Sequence, residues 1–268
     1  MYIWQAIVLG LVQGLTEFLP VSSSGHLVFF QSVLSVNLDG ALFFDIVLHL
    51  GTLLAVCAVF WKDIIALFKK PFKTLGYLVL ASVPAAAVGL LLDDWIESTF
   101  FGGAYLAVGF IITAVLLFVT EIIAKRRVGV LPLCMRTVIP MGIAQAVAIL
   151  PGISRSGSTI CAGTLAGGDK KEVTKFSFLM SIPVIFGSFI VSLVKGLIHG
   201  EIQQSFRLGS WGFGLSVALG FIFSAIAGLF AIKVMIKVIE KANYKWFSLY
   251  LIILAIVCIV LQALGLFF

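Results

Sequence analysis

Long apolar stretches alternate with short polar connections along the whole chain. A helix needs about 20 apolar residues to cross ~30 Å of hydrocarbon. Six stretches approach this length, and they cover about residues 41–61, 74–92, 102–124, 174–197, 211–235 and 246–267. This pattern predicts six transmembrane helices.

Two further apolar regions, residues 1–36 and 130–168, are interrupted near the middle by proline, glycine and serine. The breaks are LPVSSSGH at 19–26, called here the first elbow, and LPGISRSG at 150–157, called the second elbow. Each half is too short to cross a bilayer, and these residue types favour a turn over continued helix. We therefore expect two re-entrant pairs of half-helices, whose elbows must lie inside protein or along a cavity.

The two halves of the chain resemble each other. In each half a glutamine precedes a Leu-Pro break, a serine-rich elbow ends in Ser-Gly, and three spans follow. Two such copies separated by three crossings must be inverted relative to each other, with a site near the midplane where the elbows meet. The expected fold is therefore an all-α polytopic membrane protein, with six transmembrane helices and two re-entrant pairs. It forms one membrane domain over 1–268, an inverted repeat of about 1–124 and 130–268.

Composition agrees with this fold and excludes other classes of protein. The 268 residues are 61% hydrophobic and 11% charged, and the mean hydropathy is +1.18. Soluble domains are about 45–50% apolar and about 25% charged. A soluble enzyme, a nucleic-acid binder and a disordered chain are therefore excluded, and the net charge of +6 does not indicate a nucleic-acid partner.

The basic residues cluster in alternate connections, while the opposite connections carry acidic residues such as Asp39 and Glu201. Basic connections stay on the cytoplasmic side of a membrane. This rule predicts that both termini lie outside, that the first elbow enters from outside and the second from the cytoplasm. We expect the site to open outward.

The elbows have the composition of an anion site. The second half-helix of each pair starts at its elbow, so its free N–H groups and positive dipole end point to the centre. An arginine at bilayer depth is expected to be functional, and Arg155 has a planar fork suited to phosphate oxygens. The hydroxyls could either bind the ligand or only cap the helices; they belong to Ser22, Ser23, Ser24, Ser154, Ser156 and Thr159.

The first elbow also brings groups for proton transfer. Gln13 and Glu17 are four residues apart and share one helix face, and His26 follows the Ser-Gly pair directly. A carboxylate in an apolar helix needs a cation or a metal as its partner. Asp45 and His49 form another four-residue pair, which could extend the site or make only a structural hydrogen bond.

Two motifs carry a family resemblance over essentially the whole chain. They are QGLTEFLPVSSSGH at residues 13–26 and PGISRSGST at residues 151–159. With them the sequence resembles the undecaprenyl-diphosphate phosphatase family, also called the bacitracin-resistance family. The resemblance implies a bacterial plasma-membrane enzyme that removes the terminal phosphate of a C55 isoprenoid diphosphate, recycles the carrier for cell-wall synthesis and confers bacitracin resistance.

The resemblance also implies roles for the elbow residues. Glu17, Ser23, His26 and Arg155 would be catalytic, with Ser23, His26 or an activated water as nucleophile. Glu17 would hold a divalent cation, Mg²⁺ or Ca²⁺. Arg155, with Ser154, Ser156 and Thr159, would hold the diphosphate. The position of the other polar residues at or near the first elbow adds further candidates for substrate binding: Gln13, Ser22, Ser24 and Asp45. The alternative function is a transporter that flips polyprenyl phosphate, and the oligomeric state is open, with a homodimer as one candidate.

Overall fold

A computed structural model describes residues 1–36, 41–100, 103–126, 129–198, 211–238 and 243–267. Asp39 and Glu201, on which the orientation argument drew, lie outside these residues. The described part of the chain holds eleven helices. In chain order they are α1 Ile3–Phe18, α2 Ser23–Val33, α3 Ala41–Val59, α4 Trp61–Leu67, α5 Lys73–Phe100, α6 Leu106–Lys125, α7 Met135–Val147, α8 Arg155–Leu165, α9 Lys170–Ile198, α10 Trp211–Val238 and α11 Tyr244–Ala263.

Five of these helices are long and apolar enough to cross a membrane, namely α5, α6, α9, α10 and α11. A sixth span exists if α3 and α4 are taken as one broken segment, because they meet at a bend of 78°. The chain is thus an all-helical, multi-pass membrane protein. The span predicted over about 41–61 corresponds to α3, and the axis turns after it at Phe60, just before the charged residues Lys62 and Asp63.

Both predicted breaks are confirmed as interruptions between two short helices. Leu19, before Pro20, has extended backbone (ψ 149°) as residues before proline do. Ser22 caps α2 by accepting a hydrogen bond from the Gly25 N–H at 3.3 Å. Ser154 caps α8 in the same way, from the Gly157 N–H at 3.0 Å.

Small residues let the broken helices pack deep among the spans. A Cβ atom added to Gly14 of α1 would lie 2.4 Å from the Ser224 carbonyl oxygen of α10. A Cβ added to Gly142 of α7 would lie 2.9 Å from the Ala81 backbone of α5. Small side chains at such contacts allow helix backbones to approach closely. One face of α1 and one face of α7 therefore pack directly against spanning helices.

Candidate active site

Glu17 is the centre of a buried polar cluster that joins the two elbows. Its Oε2 atom accepts hydrogen bonds from Gln13 Nε2 at 2.9 Å and from Ser23 Oγ at 2.5 Å. Its Oε1 atom lies 2.6 Å from Arg155 Nη2. Gln13 and Glu17 share one face of α1, as their spacing predicted. The expectation that the elbows meet is borne out by the direct contact of Glu17 with Arg155.

Two helix N-termini deliver the reactive side chains. Ser23 is the first residue of α2 and Arg155 is the first residue of α8. Each follows a serine cap, so the free N–H groups of both helices lie beside the cluster. The Ser23 hydroxyl and the Arg155 guanidinium, one from each of these N-termini, both contact the Glu17 carboxylate.

Arg155 is held from a third helix as well. Its Nη1 atom donates to the Ser177 carbonyl oxygen of α9 at 3.3 Å. Thr159 Oγ1 donates to the Arg155 carbonyl oxygen at 2.9 Å and lies 2.7 Å from Ser177 Oγ. Thr159 thus links the first turn of α8 to α9, which restricts where the guanidinium can point.

The remaining predicted hydroxyls lie in or beside the elbows, within hydrogen-bond reach of elbow atoms. Ser24 Oγ is 3.5 Å from Ser22 Oγ, and Ser156 Oγ is 3.3 Å from Ser154 Oγ. Ser156 also donates to the Leu19 carbonyl oxygen at 2.7 Å, which ties the second elbow to the first. These contacts stabilise the site's geometry.

His26 is buried one turn into α2, with both ring nitrogens engaged. Nδ1 lies 2.7 Å from the Ser22 carbonyl oxygen, and Nε2 lies 2.6 Å from the Tyr250 hydroxyl of α11. The ring packs against Tyr250 and against the edge of Phe110. Sequence reasoning missed Tyr250, and nothing in the local sequence marks a contact between residues 224 positions apart.

Asp45 and His49 lie on α3, and of the two it is His49 that reaches the Glu17 cluster. The Asp45 carboxylate accepts from Gln31 Nε2 at 2.7 Å, while His49 Nδ1 lies 2.7 Å from the Asp45 backbone oxygen. His49 Nε2 is 3.9 Å from Glu17 Oε2, and its side chain is 31% exposed. The four-residue spacing of Asp45 and His49 was the signal for this contact, although the histidine lies nearer to Glu17 than sequence reasoning anticipated.

The oxygen atoms available for a metal come from α1. Gln13 Oε1 is buried and has no hydrogen-bond partner among the described residues, and it sits one turn before the Glu17 carboxylate. Within the described ranges no three His, Cys, Asp or Glu residues cluster as a metal site. Two protein oxygens fit Mg²⁺ as it is bound beside phosphates, where substrate and water supply the other ligands.

The arrangement has the parts of phosphoryl transfer. The Ser23 hydroxyl, hydrogen-bonded to the Glu17 carboxylate, has the geometry of a nucleophile beside its general base. A guanidinium and two helix N-termini supply positive potential for phosphate oxygens, which this chemistry needs most.

Comparison with known proteins agrees with this chemistry. The sequence model of the family described as Bacitracin resistance protein BacA matches residues 6–257. A protein of Carboxydothermus hydrogenoformans named undecaprenyl-diphosphatase is 40% identical, covering 98% of this chain and 99% of its own length. Proteins of the same name from Halothermothrix orenii (40% identical, 97% and 98% covered) and Methanobrevibacter smithii (39% identical, 96% and 96% covered) are similar over as much of the chain.

Proposed function

The chain belongs to the bacitracin resistance protein BacA family, and from that premise we propose how the cluster around Glu17 works. The reaction is hydrolysis of the terminal phosphate of undecaprenyl diphosphate to undecaprenyl phosphate. This recycles the lipid carrier for cell-wall synthesis, and it gives bacitracin resistance. The observation that carries the mechanism is the joint contact of Glu17 with Ser23 and Arg155.

In the first step Ser23 Oγ attacks the terminal phosphorus. The Ser23 proton passes to Glu17 Oε2, which already accepts that hydroxyl's hydrogen bond at 2.5 Å. The anhydride P–O bond breaks, and undecaprenyl phosphate leaves as an anion that needs no proton. Arg155 and the N-termini of α2 and α8 stabilise the charge that builds on the phosphate oxygens.

In the second step water hydrolyses the phosphoserine. The water attacks phosphorus, inorganic phosphate forms, and the Ser23 oxygen leaves with the proton held by Glu17. One carboxylate can serve as base and then as acid, because the first step leaves it protonated and the second step returns that proton to the Ser23 oxygen, while both protons of the water stay on the inorganic phosphate. Ser23 is favoured over His26 as nucleophile because both His26 nitrogens already contact other groups.

A divalent cation, Mg²⁺ or Ca²⁺, would be held by Glu17 and by Gln13 Oε1, which has no hydrogen-bond partner among the described residues. Such an ion supplies charge neutralisation for the diphosphate when it is bound. Arg155 supplies the same kind of stabilisation from the other elbow, so the two would share the phosphate oxygens.

The fold that supports this site is proposed to be an interdigitated inverted repeat. The packing pattern favours it: α1 of the first half packs on α10 of the second, and α7 of the second half packs on α5 of the first. The halves have diverged in their chemistry, since Glu17 and Ser23 belong to the first half and Arg155 to the second.

The site is proposed to open outward, with both termini outside, and the prenyl tail is proposed to stay in lipid. Tags at the two termini, tested for protease access in intact cells, measure this orientation. Substrate binding by Ser22, Ser24, Asp45, Ser154, Ser156 and Thr159 stays a prediction. So does the homodimer, which light scattering in detergent tests.

Phosphate release from undecaprenyl diphosphate by protein purified in detergent tests the function. Micelles have no compartments, so release there excludes a transporter as the source of the signal. We expect Arg155→Ala to lose activity, whereas Arg136→Ala, an exposed arginine at the start of α7, keeps it. Near-normal turnover by Arg155→Ala would contradict the proposal.

A further inference from the structure

We propose that Tyr250 is a positioning residue for this reaction. Its hydroxyl holds His26, and His26 holds the first elbow in the backbone conformation that keeps Ser23 against Glu17. The inference rests on the proposed function, because it takes Ser23 as the nucleophile. It assigns a role to a residue of the last helix, far from both motifs in sequence.

The contact between Tyr250 and His26 is short and constrained in direction. The Tyr250 hydroxyl lies 2.6 Å from His26 Nε2. The two rings lie nearly parallel, at 13°, with centroids 5.6 Å apart, and Phe110 makes a T-shaped contact with the imidazole. The imidazole is therefore fixed in plane and in tilt.

The two hydrogen bonds of His26 define its tautomer. A backbone carbonyl can only accept, so Nδ1 must carry the proton that is donated to the Ser22 oxygen at 2.7 Å. In the neutral ring Nε2 then has the lone pair and accepts the Tyr250 hydroxyl proton. The Ser22 carbonyl therefore sets the tautomer, and the Tyr250 hydroxyl pairs with the ring nitrogen that this tautomer leaves unprotonated.

The elbow needs this support because Ser22 has an unfavourable backbone conformation. Its φ is +68°, in the left-handed region that favours glycine. Its carbonyl oxygen accepts from the His26 backbone N–H at 3.1 Å as well as from Nδ1. These two bonds orient the peptide that joins Ser22 to Ser23. If that peptide rotated, Ser23 Oγ would move away from Glu17.

Burial argues that the Tyr250 hydroxyl, rather than its ring, matters here. Tyr250 is 45% exposed, whereas His26 is 1% exposed. A half-exposed aromatic ring on a spanning helix is ordinary for a residue that faces lipid and indicates no special role. The hydroxyl, in contrast, makes a hydrogen bond to a buried imidazole. Phenylalanine at 250 would keep the stacking and remove that hydrogen bond alone.

Steady-state kinetics of phosphate release in detergent test the proposal with Tyr250→Phe. Loss of one hydrogen bond that aligns the nucleophile should lower kcat about five- to tenfold, while KM stays unchanged because the phosphate-binding groups are intact. Ser248→Ala is the matched control, since Ser248 also donates from α11, to the Ala114 carbonyl oxygen at 2.7 Å. The control should keep the wild-type kcat.

A spectroscopic measurement separates positioning from packing. The chain has three histidines, so ¹⁵N-histidine spectra can be assigned with His26→Gln. Tyr250→Phe should shift the Nε2 signal of His26 and leave those of the other two in place. The inference is overturned if Tyr250→Phe keeps the wild-type kcat or if Ser248→Ala loses as much activity. It is also overturned if a rise in KM accounts for the loss, or if the His26 signal does not move.

These outcomes are distinct from failure of the proposed function. If Ser23→Ala is inactive and Tyr250→Phe is fully active, the role of Ser23 stands and the role of Tyr250 fails. If Ser23→Ala retains turnover, the mechanism with a serine nucleophile fails first.

Discussion

Replacing Glu17 by glutamine tests the site most sharply, because it should change catalysis and binding in opposite directions. The amide has nearly the same shape but cannot take the Ser23 proton. General acid–base groups contribute about 10²–10⁴-fold to rate, so kcat should fall by about that factor. The side chain keeps its place beside Gln13 and Ser23, which limits any rearrangement.

Binding should become tighter in the same variant. In the native protein the Arg155 guanidinium is paired with Glu17 at 2.6 Å, so a phosphate must compete with that carboxylate. A neutral residue at position 17 frees the guanidinium for the substrate. A charge-assisted hydrogen bond is worth about 1.5–3 kcal/mol, so affinity for the diphosphate should rise about tenfold or more.

The assay is phosphate release at saturating Mg²⁺, together with direct binding of the diphosphate to the variant in the presence of a chelator, so that the cation proposed to bind Glu17 does not contribute to the affinity. Glu172→Gln is the matched control, because Glu172 is an exposed carboxylate that accepts from the Leu133 N–H. Breaking one side of a buried ion pair destabilises a protein by about 3–5 kcal/mol, so thermal unfolding should be followed with and without phosphate. A normal kcat, or weaker binding in a folded Glu17→Gln protein, would refute the reasoning.

Three further predictions concern helix packing, the cation and the contact between elbows. Gly14→Ala places a Cβ 2.4 Å from a carbonyl oxygen of α10 and should lower the free energy of unfolding by about 1–3 kcal/mol. Gly76→Ala is the control, because its Cβ meets nothing within 4 Å and should leave stability unchanged. Thermal unfolding measures both. Gln13→Glu adds a second carboxylate beside Glu17, so the Mg²⁺ concentration that half-restores activity after chelation should fall; an unchanged concentration would argue against cation binding there. Ser156→Ala removes the hydrogen bond to the Leu19 carbonyl oxygen and should cost about 1 kcal/mol in unfolding experiments, with no loss expected from the exposed Ser98→Ala.

Features set by local sequence could be predicted. The breaks at 19–26 and 150–157 are marked by proline, glycine and capping serines, and helices end there in the structure. The Gln13 and Glu17 pair follows from helical spacing, and its hydrogen bond is present. Apolar length likewise indicated the spans but not the bend at Phe60, because hydropathy carries no information on helix direction.

Contacts between distant segments could be predicted only where the two halves of the chain resemble each other in sequence. The likeness of the two elbows indicated that Arg155 would meet Glu17, and it does. No pattern related Tyr250 to His26, because their contact depends on how α11 packs beside α6. The Asp45 and His49 spacing indicated a bond, but not that the backbone oxygen would be the acceptor while His49 Nε2 faces Glu17.

The central claim is that Ser23, held by Glu17, attacks the phosphate clamped by Arg155. The most direct test is phosphate release from undecaprenyl diphosphate by Ser23→Ala, with Ser32→Ala on the same helix as its control. The account predicts no release above background for Ser23→Ala, full release for Ser32→Ala, and unchanged diphosphate binding by both. Measurable turnover by folded Ser23→Ala would contradict it, because water would then reach the phosphorus without a serine intermediate.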